Sequence, residues 1–262
     1  MQRFALFVDG SNLFGSLKSM NLEVDDYERF FSYVHKESVS YWHTVTHTAT
    51  TVPTQLRRIY WYVVGTIDQW DLSLPQSQTA LRKAFDADKD VKGAWLAAAG
   101  KADPSLRGNA LTDKAWADCH ADFKLWYEQK QEILKKMHSF HQAIRSKTDL
   151  IDVIDSGHWK VNFLKKWVEE KGLDTSLAVD MVAQADNFDV AVVASGDADS
   201  IPSVRYLKNK GKHVCSVEFV NGSPPEAKGR NFSSRLGEHS DFVVRIFETE
   251  LLRHKLAHRP AP

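Results

Sequence analysis

The segment Phe188–Ala194 constrains this chain more than any other, because it is a short apolar run that ends in the turn Ser195-Gly196-Asp197-Ala198-Asp199. An apolar run without polar alternation reads as a strand buried on both faces, and such strands belong to parallel sheets covered by helices above and below. A second run, Phe4–Val8, delivers Asp9 at its C-terminal end, and Gly10, Ser11 and Asn12 then lead into a helical pattern from Leu13. Open α/β sheets place ligands outside the carboxyl ends of their strands. Acids at two such ends therefore mark one edge as functional. Carboxylates held close together repel unless a proton or cation is shared between them, and a divalent metal ion lets them stay ionised at neutral pH.

The remaining elements alternate in the way such a sheet needs. Asp174 stands directly before Thr175, Ser176 and the apolar pattern Leu177, Ala178, Met181, Val182, Ala185, which places it at a helix N-terminus, with Asp180 deeper in the same helix. Residues 24–40 read as a helix with Tyr27, Phe30, Phe31 and Val34 on one face, followed by a Thr- and His-rich stretch, Val39–Thr54, read as a loop. Leu56–Val64 is β-branched and aromatic, a strand bounded by Gly65. Leu150–Ile154 resumes strand character, and Val161–Glu170 reads as a short helix leading to Lys171. Asp199 or Ser200 caps a helix with Pro202 in its first turn and Gly211 at its end, and His213–Val220 is the next strand. Ser223–Leu236 has the composition of a mobile loop, and Asp241–Phe247 reads as an edge strand. The expected fold class is α/β, a mostly parallel sheet flanked by helices with right-handed crossovers. In that geometry Asp9, Asp197 and Asp199 converge on one edge, and Asp174 reaches it from the preceding helix.

Residues 66–147 break the alternation and are predominantly helical. Trp116, Cys119, Phe123, Trp126, Ile133, Met137, Phe140 and Ile144 describe one apolar stripe that needs a partner surface. Packing in a hairpin with residues 77–88 is the first expectation, and formation of a homodimer through the stripe the second. The expected organisation is one domain over 1–250 carrying a helical insertion at 66–147, with a disordered tail over 251–262.

Composition closes several other routes. Lys plus Arg equals Asp plus Glu at 34 each, so a nucleic-acid surface would have to be local. Lys171, Arg205, Lys228 and Arg230 are the candidates for phosphate contacts. Cys119 and Cys215 are the only cysteines, which gives neither a disulfide framework nor a cysteine zinc site and agrees with a reducing cytoplasm. No stretch reaches the length of a membrane span. His43 and His47 have helical spacing, but Thr44 stands where a zinc protease needs glutamate. There is no P-loop; an aspartyl-phosphate phosphatase would want an acid at Ser11, and a metal-adhesion site would want serine at Leu13.

FALFVDGSNL, KGLDTSLAVDMV and VVASGDADSIPSVRYLKNKGKHVCSVEF, in this order, resemble the NYN domain, a PIN-like nuclease family related to the bacterial LabA-type proteins. The resemblance covers roughly residues 3–20, 56–64 and 150–247 and leaves 66–147 outside. It implies a Rossmann-like (PIN-like) sheet with an acidic pocket that binds Mg²⁺ or Mn²⁺ and cuts RNA, single-stranded or structured, leaving a 5′-phosphate and a 3′-hydroxyl. Carried over by motif, Asp9, Asp174, Asp197 and Asp199 are the metal and catalytic acids. Asn12 orients Asp9 or a water, Ser195 binds phosphate or holds the turn, and Asp180 matches a further helix acid. The family's turn usually reads Ser-Gly-Asp-Gly-Asp-Phe, where this chain has Ala198 and Ser200. Two other functions compete with metal-dependent RNA hydrolysis: a non-catalytic RNA-binding or regulatory module working through a partner, and a nuclease of structured DNA.

Overall fold

Gln2–Asp9 (β1) is buried from Phe4 onward and turns directly into Gly10–Ser19 (α1), whose N-cap is Asp9 itself. This is a computed structural model, and it describes residues 1–224, 226–228 and 234–260. Tyr27–Thr46 (α2) starts where the Asp26 carboxylate accepts the Arg29 N–H and stops at His47, which takes a left-handed conformation at φ 52°. The helix therefore runs through half of the stretch read as a loop. Trp42, buried against Phe4, supplies the apolar contact that the Thr- and His-rich composition hides. Thr54–Ile67 (β2), Pro75–Ala87 (α3), Lys89–Ala102 (α4) and Gly108–Arg145 (α5) follow. Ile151–Asn162 (β3), Trp167–Lys171 (β4), Leu173–Ala183 (α6), Val190–Ala194 (β5) and Ile201–Asn209 (α7) come next. His213–Ser223 (β6), Glu226–Lys228 (β7), Ser234–His239 (α8), Phe242–Phe247 (β8) and Glu248–Arg253 (α9) complete the described elements.

The chain divides into two compact units, the first made of Met1–Gly65, Phe140–Gly157 and Gly172–Pro262 and the second of Thr66–Ser139 and His158–Lys171. In the first, the strand order is β3-β2-β1-β5-β6, with β7 and β8 both pairing with β6. β1 pairs in parallel with β2 and β5, and β6 pairs in parallel with β5 and β8. The fold is thus α/β with a mostly parallel sheet flanked by helices. All five residues of β5 are buried, as a strand between two parallel neighbours requires. Phe4, Leu6, Val8, Trp61, Val63, Val192 and Val217 share one core with Phe30, Phe31 and Val34 of α2.

The second unit is built from α3, α4, most of α5 and the β3–β4 hairpin, whose strands pair antiparallel from His158 opposite Lys171 to Asn162 opposite Trp167. The short helix expected over Val161–Glu170 is therefore a turn between two strands. Asn162 Oδ1 accepts the Lys165 N–H at 3.0 Å and Lys166 sits at φ 46°, a side-chain-stabilised turn that overrides the local helical spacing. Phe163 anchors the turn among Trp70, Phe123, Trp126 and Tyr127. On the part of α5 that belongs to the second unit the residues buried are Ala115, Cys119, Phe123, Tyr127 and Leu134, while Ile133 of the expected stripe is 43% exposed. α3 meets this helix through Arg82 and Phe85, both against Trp116.

Through residue 260, the tail expected to be disordered is held instead. Leu256 and Ala257 are buried, Glu23 and His258 form an isolated antiparallel bridge, and Arg259 pairs with Glu248. Two apolar residues joining the core are enough to fix a segment whose composition is otherwise polar. The loop expected over 223–236 falls partly outside the described residues; within it, 226–228 are β7 and α8 begins at Ser234. Among the described residues no helix is long and apolar enough to cross a membrane.

Candidate functional site

β1 and β5 pair with Val8 opposite Ala194, so Asp9 and Ser195 are the next residues on adjoining strands. Alternation along β1 puts Phe7 and Asp9 on one face of the sheet. Phe7 stacks on Tyr60 at 5.0 Å and meets Phe188 edge-on at 5.4 Å, which fixes the floor beneath Asp9. Asp9 is only 2% exposed, and a buried carboxylate needs donors. Asn12 supplies two, its backbone N–H to Oδ1 at 3.0 Å and its side-chain amide to Oδ2. The Ser195 hydroxyl donates to Oδ2 at 3.4 Å and accepts the Asp197 N–H at 3.1 Å, and Asp197 Oδ1 accepts the Asp199 N–H at 2.9 Å. Hydrogen bonds thus run unbroken from Asn12 through both acidic strand ends to Asp199. All of these donors are neutral, and among the described residues Asp9, Asp197 and Asp199 form no ion pair.

Asp174 lies in the first turn of α6, whose N-cap is Gly172 at φ 90° rather than Asp174 itself. α6 feeds through a 3-10 turn, Ala185–Asn187, into β5 and so runs back against it. An 11-residue helix and a five-residue strand are both about 16 Å long. The first turn of α6 therefore stands at the level of the C-terminal end of β5, and α6 packs against β1 and the 3-10 turn Ala198–Ser200. Asp197, Asp199 and Asp174 come to the same edge as Asp9 by topology.

Asp180 is placed differently. Its Oδ2 accepts the hydroxyl of Tyr62 at 3.1 Å, and Tyr62, fully buried on β2, is the register partner of Asp9. Burial first, and then the Asp180 charge, push the Tyr62 phenol upward in pKa, so the hydroxyl remains a donor. Sequence reasoning missed Tyr62. Its position in the aromatic strand Tyr60-Trp61-Tyr62 is visible, but the face it occupies follows from the β1–β2 register, which carries a shift between Phe4 and Ala5.

Of the basic residues, Arg205 is exposed on α7. Lys171 belongs to the second unit, where its ammonium pairs with Glu169. The Lys228 side chain and the whole of Arg230 lie outside the described residues. Ser200, where the family's turn usually carries Phe, is 1% exposed and its hydroxyl has no hydrogen-bond partner among the described residues.

The donor set is carboxylate, hydroxyl and amide oxygen without thiolate or imidazole, which is the chemistry of Mg²⁺ or Mn²⁺ rather than zinc. Among the described residues no three His, Cys, Asp or Glu side chains stand close enough to form a ready-made cage. Mg²⁺ does not require one, since it keeps several waters and takes one or two carboxylates together with substrate phosphate. On that basis the residues fit the ion.

The family model of the NYN domain matches residues 3–230. A solved structure of a protein of unknown function from Vibrio parahaemolyticus is similar at 13% identity over 94% of this chain and 93% of that one, with a TM-score of 0.40, too slight a likeness to bear on function. No curated protein matches the chain.

Proposed function

Because the chain belongs to the NYN domain family, of the PIN-like nuclease superfamily, we propose that it is a ribonuclease that hydrolyses RNA phosphodiester bonds at the acidic edge of β1 and β5 with a bound Mg²⁺ or Mn²⁺. The observation that carries this reading is the hydrogen-bonded run from Asn12 through Asp9, Ser195 and Asp197 to the Asp199 N–H, in which the Asp9 and Asp197 carboxylates are oriented and no carboxylate is neutralised by a described cation. Asp9 and Asp197 would hold the ion, with Asp174 and Asp199 completing the acidic set. Bound there, a divalent cation supplies positive charge to the attacked phosphate and acidifies water for the attack.

The chain's own residues do the positioning. Asn12 fixes both oxygens of Asp9, so that carboxylate cannot rotate away from the edge. Ser195 ties Asp9 to the turn, so the two strand ends move as one. Asp199 is exposed and is the acid placed to meet water or substrate from the solvent side. No cysteine or histidine nucleophile is needed. Arg205, Lys228 and Arg230 are the proposed phosphate contacts, and each real one adds to the salt dependence of RNA binding.

The test is cleavage of end-labelled single-stranded and hairpin RNA with Mn²⁺ or Mg²⁺, beside an EDTA control and an Asp197→Asn protein. Cutting that vanishes in both controls supports the reading. Metal binding without cutting would move the chain to a non-catalytic RNA-binding module, the reading favoured by the altered turn at Ala198 and Ser200. Preferential cutting of branched DNA would make it a structured-DNA nuclease.

A further inference from the structure

The acids of α6 do not act alike. At about 100° per residue, Leu173, Leu177 and Met181 form one arc of the helix, and all three are buried. Asp174 and Asp180 flank that arc on opposite sides, about 120° apart around the axis and about 9 Å apart along it. On an ideal helix their Cβ atoms are then about 10–11 Å apart, whereas two aspartates on one Mg²⁺, with oxygens near 2.1 Å from the ion, have Cβ atoms within about 9 Å. Asp174 and Asp180 cannot comfortably hold the same ion.

Asp180 has another occupation. Tyr62 is fully buried, and a buried phenol must find an acceptor. The acceptor is Asp180 Oδ2 at 3.1 Å. The donor is rigid, because Tyr62 is built into β2 opposite Asp9. A second side-chain hydrogen bond links α6 to a neighbouring element, from the Ser203 hydroxyl of α7 to the Ala178 carbonyl at 2.9 Å. An apolar stripe alone permits a helix to roll and slide on a sheet. Two polar ties on opposite flanks stop it.

We propose that Tyr62 and Asp180 form a strut that fixes the rotation of α6 against β2 and so presents Asp174 to the acidic edge, with Asp180 itself outside the metal-binding set. Tyr62 and Asp180 are positioning residues, and the proposal rests on the reading of that edge as a divalent-metal site.

Calorimetric Mn²⁺ titration of the full chain separates strut from ligand. Tyr62→Phe keeps the ring and loses the hydroxyl, and Asp180→Ala loses the acceptor. Each should weaken Mn²⁺ binding by roughly tenfold, the scale for removing a group that orients a metal ligand, and the double variant should be no weaker than either alone. Asp180→Asn is the decisive variant, because its amide oxygen still accepts from Tyr62. It should bind Mn²⁺ within about threefold of the unmodified chain, while Asp174→Asn falls much further. An Asp180→Asn protein as impaired as Asp174→Asn would make Asp180 a ligand, and unchanged binding in Tyr62→Phe would remove the strut; either overturns the proposal. Amide hydrogen exchange over α6 in metal-free protein gives a second readout. Exchange should quicken in Tyr62→Phe and Asp180→Ala but not in Asp180→Asn, and failure of that pattern overturns the strut even if the unmodified chain binds no Mn²⁺, a result that would sink the metal-site reading alone.

Discussion

The two ends of the β1–β5 pair carry aspartates in opposite situations. At the N-terminal end, Asp189 is clamped by Arg3, whose Nη2 and Nε reach its two oxygens at 2.8 and 3.0 Å while the Arg3 N–H donates at 2.9 Å. Lys212 stands 3.8 Å away, and the side-chain hydrogen bond from Arg3 leads the causes that hold the Asp189 carboxyl down at about 2. At the C-terminal end, Asp9 and Asp197 receive only neutral donors among the described residues, and Asp199 forms no ion pair there. The same pair of strands thus closes one carboxylate with a cation and leaves the others electrically unmatched, with Asp9 and Asp197 held in place by hydrogen bonds. A matched carboxylate stabilises the fold; an oriented, unmatched one favours a cation supplied from outside.

Exchanging aspartate for asparagine at each end should separate activity from stability. Asp9→Asn should lower RNA cleavage by more than the roughly 10–100-fold that losing a partner of a metal ligand costs, with little loss in Tm. Asp189→Asn should leave cleavage intact and lower Tm. If both variants fail in the same assay, the contrast is false.

Gly10 tests how tightly the acidic end is packed. A Cβ there would lie 2.6 Å from the Tyr62 carbonyl oxygen and 3.1 Å from Trp61 Nε1, so Gly10→Ala should cost about 2–3 kcal/mol in denaturant unfolding and should impair cleavage as α1 and Asn12 shift. At the other end, Arg3→Ala should lower stability at neutral pH by removing the clamp on Asp189. Because the folded pKa of Asp189 is depressed, that contribution is complete above about pH 4 and is lost as pH falls toward 2, so unmodified and Arg3→Ala proteins should converge in stability under acid.

His35, packed edge-on to Phe4 at 5.1 Å, sharpens the same end. Burial pushes its pKa down to about 4, so the folded state holds it neutral and the unfolded chain takes up the proton first. Stability should fall by about 1 kcal/mol as pH drops from 6.5 toward 4, and His35→Phe should flatten that slope in pH-dependent melts. The smallest expected effect lies beside the acidic turn. Ser200 buries a hydroxyl without a partner and makes no capping bond, so Ser200→Ala should raise stability by up to about 1 kcal/mol without altering metal affinity.

Much of this edge is legible in the sequence because it depends on local pattern. The β1 and β5 runs are apolar without interruption near their ends, and the acids follow them directly, so a parallel sheet with one acidic edge follows from periodicity and topology. What stayed hidden depends on partners far along the chain. Tyr62 looks like one more aromatic strand residue until the register sets it opposite Asp9. Val161–Glu170 carries apolar residues at helical spacing in Phe163 and Trp167, and only the Asn162 turn and the aromatic cage around Phe163 make it a hairpin. The end of α2 and the tail at Leu256 were equally invisible, since each is held by core contacts that its own composition does not announce.

The pairing of β1 with β5 also has a consequence for how the molecule is made. Arg3 and Asp189 lie 186 positions apart, yet they clamp neighbouring strands. On the ribosome, where the chain grows at roughly 5–20 residues per second, β1 waits for at least about ten seconds with one edge unpaired. Every residue of the second unit has been synthesised by Lys171, before β5 exists. Closure of such distant contacts is slow. The interval in which β1 lies open is when the nascent chain is most exposed to mispairing, and the acidic edge can assemble only after it ends.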